Sequence, residues 1–255
     1  MRRLTPHRRF DNFGDIVRIG LIQAGGIGDI IIALPIADYF IERGCEVFWP
    51  VEDRHAPVFQ PVKPEVHFIP IPGGQGLAYD TPLNCLKELG CDPIFPLISY
   101  LDSKEIYDKG LSNSLKFDEY KYAIAGVPFS KKWELRIRRD PSREAALKER
   151  LEIRRPYICV HRHASNWGFN LAMPKEWTEQ YQIIEVSPMT DSPFDWIGTL
   201  EGAAKLVLID SCFANLVEQL NIPGEKFFLL RSPIQFTPVM KNGWRFLSGS
   251  GGDGK

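Results

Sequence analysis

Apolar residues in this chain come in short continuous runs, several of them closed by glycine or by an acid. Residues 16–23 form such a run, interrupted by Arg18 and Gly20 and ending at Gln23. This is the pattern of a strand buried on both faces of a parallel sheet. Residues 29–43 place Ile32, Ile36, Tyr39 and Phe40 on one helical face, and Gly44 stops the helix. Pro35 falls in its second turn, so a kink is expected there. Further strands are expected over 45–51, 66–71 and 92–99, with short helices over 54–60 and 81–89 and a mostly helical stretch over 102–125. After a charged interval a second series follows. Strands are expected at 157–161, 182–186, 205–209 and 226–230, and helices at 142–151, 174–181, 195–204 and from 210–211 to 220.

Strand–helix alternation of this kind specifies α/β layers around parallel sheets. Two series separated by a charged connector imply two Rossmann-like lobes with a cleft between them, the second lobe reduced. The expected units are 1–155, a first lobe with the connector; 156–247, a second lobe; and 248–255, a Gly/Ser-rich tail outside the fold.

With 255 residues, 44% hydrophobic and a formal charge of −1, the chain can bury real cores and is not a polyelectrolyte binder overall. Charge is uneven. Arg2, Arg3, Arg8 and Arg9 stand near the start without an acid, and residues 131–155 hold ten Lys/Arg against five Asp/Glu. That interval reads either as a solvated connector face or as a surface for an anionic acceptor. The five cysteines (Cys45, Cys85, Cys91, Cys159, Cys212) show no metal-ligand spacing. Their odd number and wide spread suggest a reducing compartment. No signal peptide or membrane-spanning run is expected, so the reading is cytoplasmic.

Candidate chemistry gathers at two places. Gly25-Gly26-Ile27-Gly28-Asp29 follows the first strand. Glycine lets a ligand approach the backbone, and Asp29 stands either as a general base facing the ligand or as a plain helix cap. The turn lacks the spacing of a dinucleotide fingerprint, although Glu52 and Asp53 after the second strand keep that reading open. In the second series, His161-Arg162-His163-Ala164-Ser165 ends a strand. The two histidines point to one side of an extended chain and suit phosphate or sugar contact, a metal, or simple loop polarity. Trp167 and Phe169 suit stacking on a ring or packing. Asp210-Ser211-Cys212 opens a helix, where amides and the helix dipole favour an anion. Glu201 and Lys205 read as a surface pair.

The stretch Gly-Gly-Ile-Gly-Asp-Ile-Ile-Ile-Ala-Leu-Pro resembles the N-terminal signature of the ADP-heptose:lipopolysaccharide heptosyltransferase family. Further similarity runs in the same order through 117–127, 157–165, Met173-Pro174-Lys175-Glu176-Trp177, and 208–216 with Pro223. The resemblance implies a two-lobed GT-B glycosyltransferase that inverts the anomeric centre without a metal or other cofactor, with 1–155 the acceptor-side lobe and 156–247 the donor-side lobe. Its partners would be a nucleotide-diphosphate sugar and an acceptor hydroxyl on a surface glycan or, alternatively, on a hydroxylated base in DNA. A non-catalytic nucleotide or sugar-nucleotide binding module is the other alternative, and an NAD-type enzyme a third. The resemblance makes Asp29 the base and Gly25, Gly26 and Gly28 the acceptor-side loop. It assigns His161, Arg162, His163, Ser165, Asp210, Ser211, Cys212 and Asn215 to the donor and its phosphates. The family's glycine is Cys212 here and its histidine is Asn215. A family lysine is missing, for which His161, Arg162, His163 or Lys175 would substitute. Arg231 is a further candidate partner for the leaving diphosphate.

Overall fold

The structure, a computed structural model, describes residues 16–98, 109–164 and 167–248. The chain divides into two compact units, Met1–Arg136 and Ile137–Lys255.

In the first unit four strands, β1 (Arg18–Ile22), β2 (Glu46–Glu52), β3 (Val66–Ile71) and β4 (Ile94–Pro96), form a sheet of order β3-β2-β1-β4. Every pairing is parallel, which explains the unbroken apolar runs: Ile19, Leu21, Val47 and Trp49 are fully buried. Helix α1 (Ile27–Ile41) runs through Pro35 without a break. A proline supplies no amide to the helical ladder, and the hydroxyl of Tyr122 donates to the nearby Ile32 carbonyl at 2.8 Å. Helix α1 is apolar on nearly every side because it is covered again, by α5 (Phe117–Ala125) and a 3-10 turn at Phe129–Trp133. Short helices α2 (Ala56–Phe59), α3 (Asp80–Glu88) and α4 (Lys109–Ser114) complete the unit. The stretch expected to be helical over 102–125 is therefore two helices within 109–125, its remainder lying outside the described residues. The fourth strand is shorter than expected.

In the second unit β5 (Tyr157–His161), β8 (Gln182–Glu185), β9 (Lys205–Ile209), β10 (Glu225–Leu230) and β11 (Trp244–Ser248) form a parallel sheet of order β11-β10-β9-β5-β8. A two-residue ribbon, β6 (His163–Ala164) against β7 (Trp167–Gly168), follows β5. Helix α6 (Pro141–Arg150) precedes β5, and α7 (Lys175–Gln180), α8 (Ile197–Glu201) and α9 (Cys212–Gln219) lie between successive strands. Phe169 is buried in the core with Ile158, Val207 and Leu229, so it packs rather than stacks on a ligand.

Two expectations are corrected here, and the charged interval finds its place: the units divide at Arg136/Ile137, inside it, and its part from Ile137 onward is built into the second unit. The Arg139 guanidinium binds Glu144 (2.7 and 2.5 Å) and Glu201 (2.8 and 2.8 Å). Arg143 grips Asp195 through two bonds of 2.8 Å and also meets Asp191, and Asp140 caps α6 by accepting from the Ser142 and Arg143 amides. The pair expected between Glu201 and Lys205 does not form, since Lys205 instead pairs with Glu225. A fifth strand, β11, extends the sheet and includes Ser248, the residue at which the tail was expected to begin.

Strand β11 is tethered by Glu218, a fully buried acid on α9. Its carboxylate accepts from the Lys241 amide (2.9 Å), the Asn242 amide (3.3 Å) and the Trp244 indole (2.7 Å), and its carbonyl accepts from the Asn242 side chain (2.7 Å). Hydrogen bonds to a charged group are stronger than neutral ones, and these fix the entry to the strand. Glu218→Ala is expected to destabilise the protein by about 3 kcal/mol in denaturant unfolding, with the loss of order concentrated in 241–248 on hydrogen exchange. Unchanged protection there would show that β10 alone holds the strand.

Candidate functional site

Open parallel sheets bind ligands beyond the carboxyl ends of their strands, where neighbouring connections leave in opposite directions. In the first unit the chain steps from β1 to β2 on one side and returns to β4 on the other, so this point lies between β1 and β4. In the second unit it lies between β5 and β9. The two groups of candidate residues chosen from the sequence stand at these points.

At the first, Gln23 directly follows β1 and is buried. Its side-chain amide donates to the Gly25 carbonyl at 2.8 Å, which closes the turn, and its own carbonyl accepts from the Trp49 indole at 3.1 Å. Gly26 caps α1 with φ +78°, a conformation that disfavours any side chain. A Cβ there would stand 2.9 Å from Asp29 Oδ2, whereas a Cβ on Gly25 would meet open space. Gly28 is half-buried in the first turn of α1. Asp29 is the third helical residue, and no side chain caps the helix. The simple cap reading is therefore not what the carboxylate does.

Asp29 Oδ1 instead lies 3.2 Å from Nζ of Lys121, on α5. That ammonium also donates to Gln23 Oε1 at 2.6 Å and to the Leu97 carbonyl at 3.0 Å. Leu97 follows β4 and donates its amide to the Ile22 carbonyl at 3.0 Å. One cation thus ties the ends of β1 and β4 together through two hydrogen bonds and reaches the start of α1 through an ion pair. The lysine side chain is 4% exposed and the aspartate side chain 41%. The positive charge is sealed in, and the negative one opens outward. Sequence reasoning missed Lys121. The available signal was a lysine between two tyrosines on a helix whose neighbours are apolar.

Glu52 and Asp53, the acids that kept a dinucleotide reading open, are occupied locally. Glu52 pairs with Arg54 (2.9 Å) and lies 3.6 Å from His55, and Asp53 accepts from the Arg54 amide (2.7 Å).

At the second point, His161 Nδ1 lies 3.0 Å from Ser211 Oγ, joining the ends of β5 and β9. The imidazole packs edge-on against Phe213, with ring centroids 4.8 Å apart. Burial, with His163 nearby, pushes its pKa down to about 4, so it is a neutral hydrogen-bonding group at pH 7 and contributes no charge towards a phosphate. Ser211 is the N-cap residue of α9 by position, but its hydroxyl faces His161 and makes no capping bond. The Cys212 thiol lies within reach of the Cys212 and Phe213 amides. Those amides favour the thiolate, but burial outweighs them and pushes the pKa up to about 12. Asn215 is buried, and its Oδ1 has no partner among the described residues. Asp210 lies 3.5 Å from Nε of Arg231, a residue just after β10.

Arg162 turns away from this group. It binds the Glu185 carboxylate and donates to the Leu171 carbonyl at 3.2 Å. His163 is exposed in the ribbon, and Lys175 is an exposed residue paired with Glu179. Ser165 lies outside the described residues. Among the described residues no group of three His, Cys, Asp or Glu is placed to hold a metal. No helix among them is long and apolar enough to cross a membrane.

The neutral, buried state of His161 makes stability depend on pH. Its folded pKa lies below the unfolded value of 6.5, so the contribution is complete above pH 6.5. It declines as pH falls towards 4, by about 3 kcal/mol in all. His161→Gln is expected to flatten this part of the stability curve between pH 6.5 and 4 in urea titrations. A variant that retains the full acid slope would assign the slope to other groups.

No protein-family model matches the chain, and no curated protein matches it. Solved structures do. The glycosyltransferase of family 9 from Veillonella parvula superposes with a TM-score of 0.60 at 11% identity, covering 92% of this chain and 86% of that one. Heptosyltransferase WaaC of E. coli, solved with ADP, gives 0.53 at 11% identity, covering 91% and 93%. The iron-containing dodecameric glycosyltransferase TibC of enterotoxigenic E. coli gives 0.53 at 14%, and the chain spans 64% of its length with 94% of its own. At such identities the likeness is one of architecture: the chain has the fold of the heptosyltransferase-like glycosyltransferases.

Proposed function

We propose that the protein is a glycosyltransferase that takes a sugar from a nucleotide-diphosphate donor and places it on a hydroxyl with inversion, without a metal. What carries this reading is the pair of switch points: one presents an outward carboxylate on a glycine turn, the other a helix N-terminus with Ser211, His161 and Arg231 around it. The likeness of fold to heptosyltransferases, one solved with ADP, supports it.

In this reading Asp29 accepts the proton of the acceptor hydroxyl as its oxygen forms a bond to the anomeric carbon. The bond from that carbon to the diphosphate breaks, and the diphosphate leaves with the electron pair. Charge then grows on the leaving group, where fixed donors count most. The α9 amides, Ser211 and Arg231 supply those donors. Cys212 narrows the approach relative to a glycine, and Asn215 offers a hydrogen bond without charge.

A surface-glycan type of acceptor is favoured over a base in DNA. Arg139 and Arg143 are taken up by acids of the same unit, and Arg155 donates to the carbonyls of Thr178, Glu179 and Tyr181. These guanidiniums are committed internally and do not form a track for phosphates. Turnover on a DNA acceptor would fall steeply with salt as counterions are released. The expected result here is a shallow salt response, and a steep one would favour the DNA acceptor.

The direct test has two arms. ADP, UDP and GDP are screened by thermal shift, and a ligand that binds only the folded state raises the melting temperature. Hydrolysis of the matching nucleotide sugars, with water as acceptor, is then compared in wild type and Asp29→Asn. Loss of turnover on the order of 10² or more, with the thermal shift retained, is expected. Equal turnover in the two proteins would remove Asp29 as the base. A nucleotide shift with no turnover in wild type would leave a non-catalytic binding module.

A further inference from the structure

The contacts of Asp29 distinguish its two oxygens. Oδ1 is held at 3.2 Å by the Lys121 ammonium, which Gln23 Oε1 and the Leu97 carbonyl lock in place. Oδ2 lies over Gly26, at a spot where any side chain on residue 26 would stand 2.9 Å away. Gly26 is exposed, so Oδ2 borders an open stretch of backbone while Oδ1 is engaged by the ammonium. A buried cation held by two hydrogen bonds and an ion pair is expensive to assemble and has little freedom. It holds the carboxylate plane in one orientation.

We infer that Lys121 is a positioning residue: by occupying Oδ1 it leaves Oδ2, above the side-chain-free Gly26, as the oxygen that takes the acceptor's proton. This rests on the reading of Asp29 as the base. In the step, the acceptor O–H bond breaks and the Oδ2–H bond forms. Lys121 keeps all its protons and stays bound to Gln23 and Leu97. Its role is orientation, because a carboxylate rotated about its Cβ–Cγ bond would turn the basic lone pair from the approaching hydroxyl.

A double-mutant cycle tests this, with hydrolysis of the nucleotide sugar selected above as the probe. Lys121→Gln keeps a hydrogen-bond donor and removes the charge, and Lys121→Arg keeps the charge. Lys121→Gln is expected to lower kcat on the order of tenfold or more with donor KM little changed, and Lys121→Arg to recover part of the loss. In the Asp29→Asn background Lys121→Gln should cost nothing further, since residues that act as a unit are not additive. Gly26→Ala provides an independent arm, should both lysine variants fail to fold. It crowds Oδ2, so it should lower kcat in wild type and leave the residual turnover of Asp29→Asn unchanged. Equal factors in both backgrounds, or no loss in wild type, would overturn the inference while leaving Asp29 as the base. Full turnover by Asp29→Asn alone would overturn both.

Discussion

A parallel sheet sends every strand's carboxyl end to the same edge, and its connections must cross a face to return. Where the chain enters and leaves neighbouring strands by connections that run to opposite sides of the sheet, no crossing covers the edge between those strands. That edge is then open by topology, whatever the side chains are. Both units obey this constraint, and both fill the opening with polar groups that join the two strands across it. In one the link is an ammonium, Lys121, between the residues that follow β1 and β4. In the other it is a neutral pair, His161 with Ser211, between the ends of β5 and β9. The same geometry that exposes an edge to ligand obliges the protein to buttress it.

The two buttresses have opposite electrical character. At the first, a sealed cation faces an open anion, so the exposed charge is negative and suits a partner that arrives with a proton to lose. At the second, burial keeps His161 neutral, and the thiol of Cys212 is held protonated. The region therefore offers dipoles and hydrogen bonds more than fixed charge, with Arg231 as the nearby cation. Arg139, Arg143 and Arg162 do not add to it, because they are spent on carboxylates within their own unit.

The sequence made the strands legible because runs such as Leu206–Ile209 are apolar on both faces, and only a covered parallel strand tolerates that. It made the turn at 25–29 legible because three glycines beside an acid have few structural uses. Lys121 was not legible: its partner Gln23 lies 98 positions away, and a lone lysine in a helix normally reads as surface. The charged interval misled for the same reason. Arg143 meets Asp195 at a separation of 52 positions, so composition shows the charges but not that they neutralise one another. Strand β11 was hidden because its anchor, Glu218, lies inside a helix where an acid suggests solvent, and because Gly and Ser after Leu247 looked like a tail from the start.

Three features hidden from the sequence are buried charges met by partners elsewhere in the chain: Lys121, Glu218 and the fully buried pair of Lys132 with Asp118 at 2.7 Å. Such groups cost desolvation that apolar residues would avoid, so their presence asks for a reason beyond stability. For Glu218 the reason is architectural, since three donors on a loop and strand converge on its carboxylate and fix where β11 begins. For Lys121 an architectural reason is insufficient. Two acceptors, Gln23 and Leu97, would already join β1 to β4, and a neutral donor would serve them at lower cost. The third contact, to a carboxylate that is otherwise open to solvent, is the one that needs the positive charge. That makes the side chain of Asp29, rather than the join between the strands, the feature this lysine is arranged around.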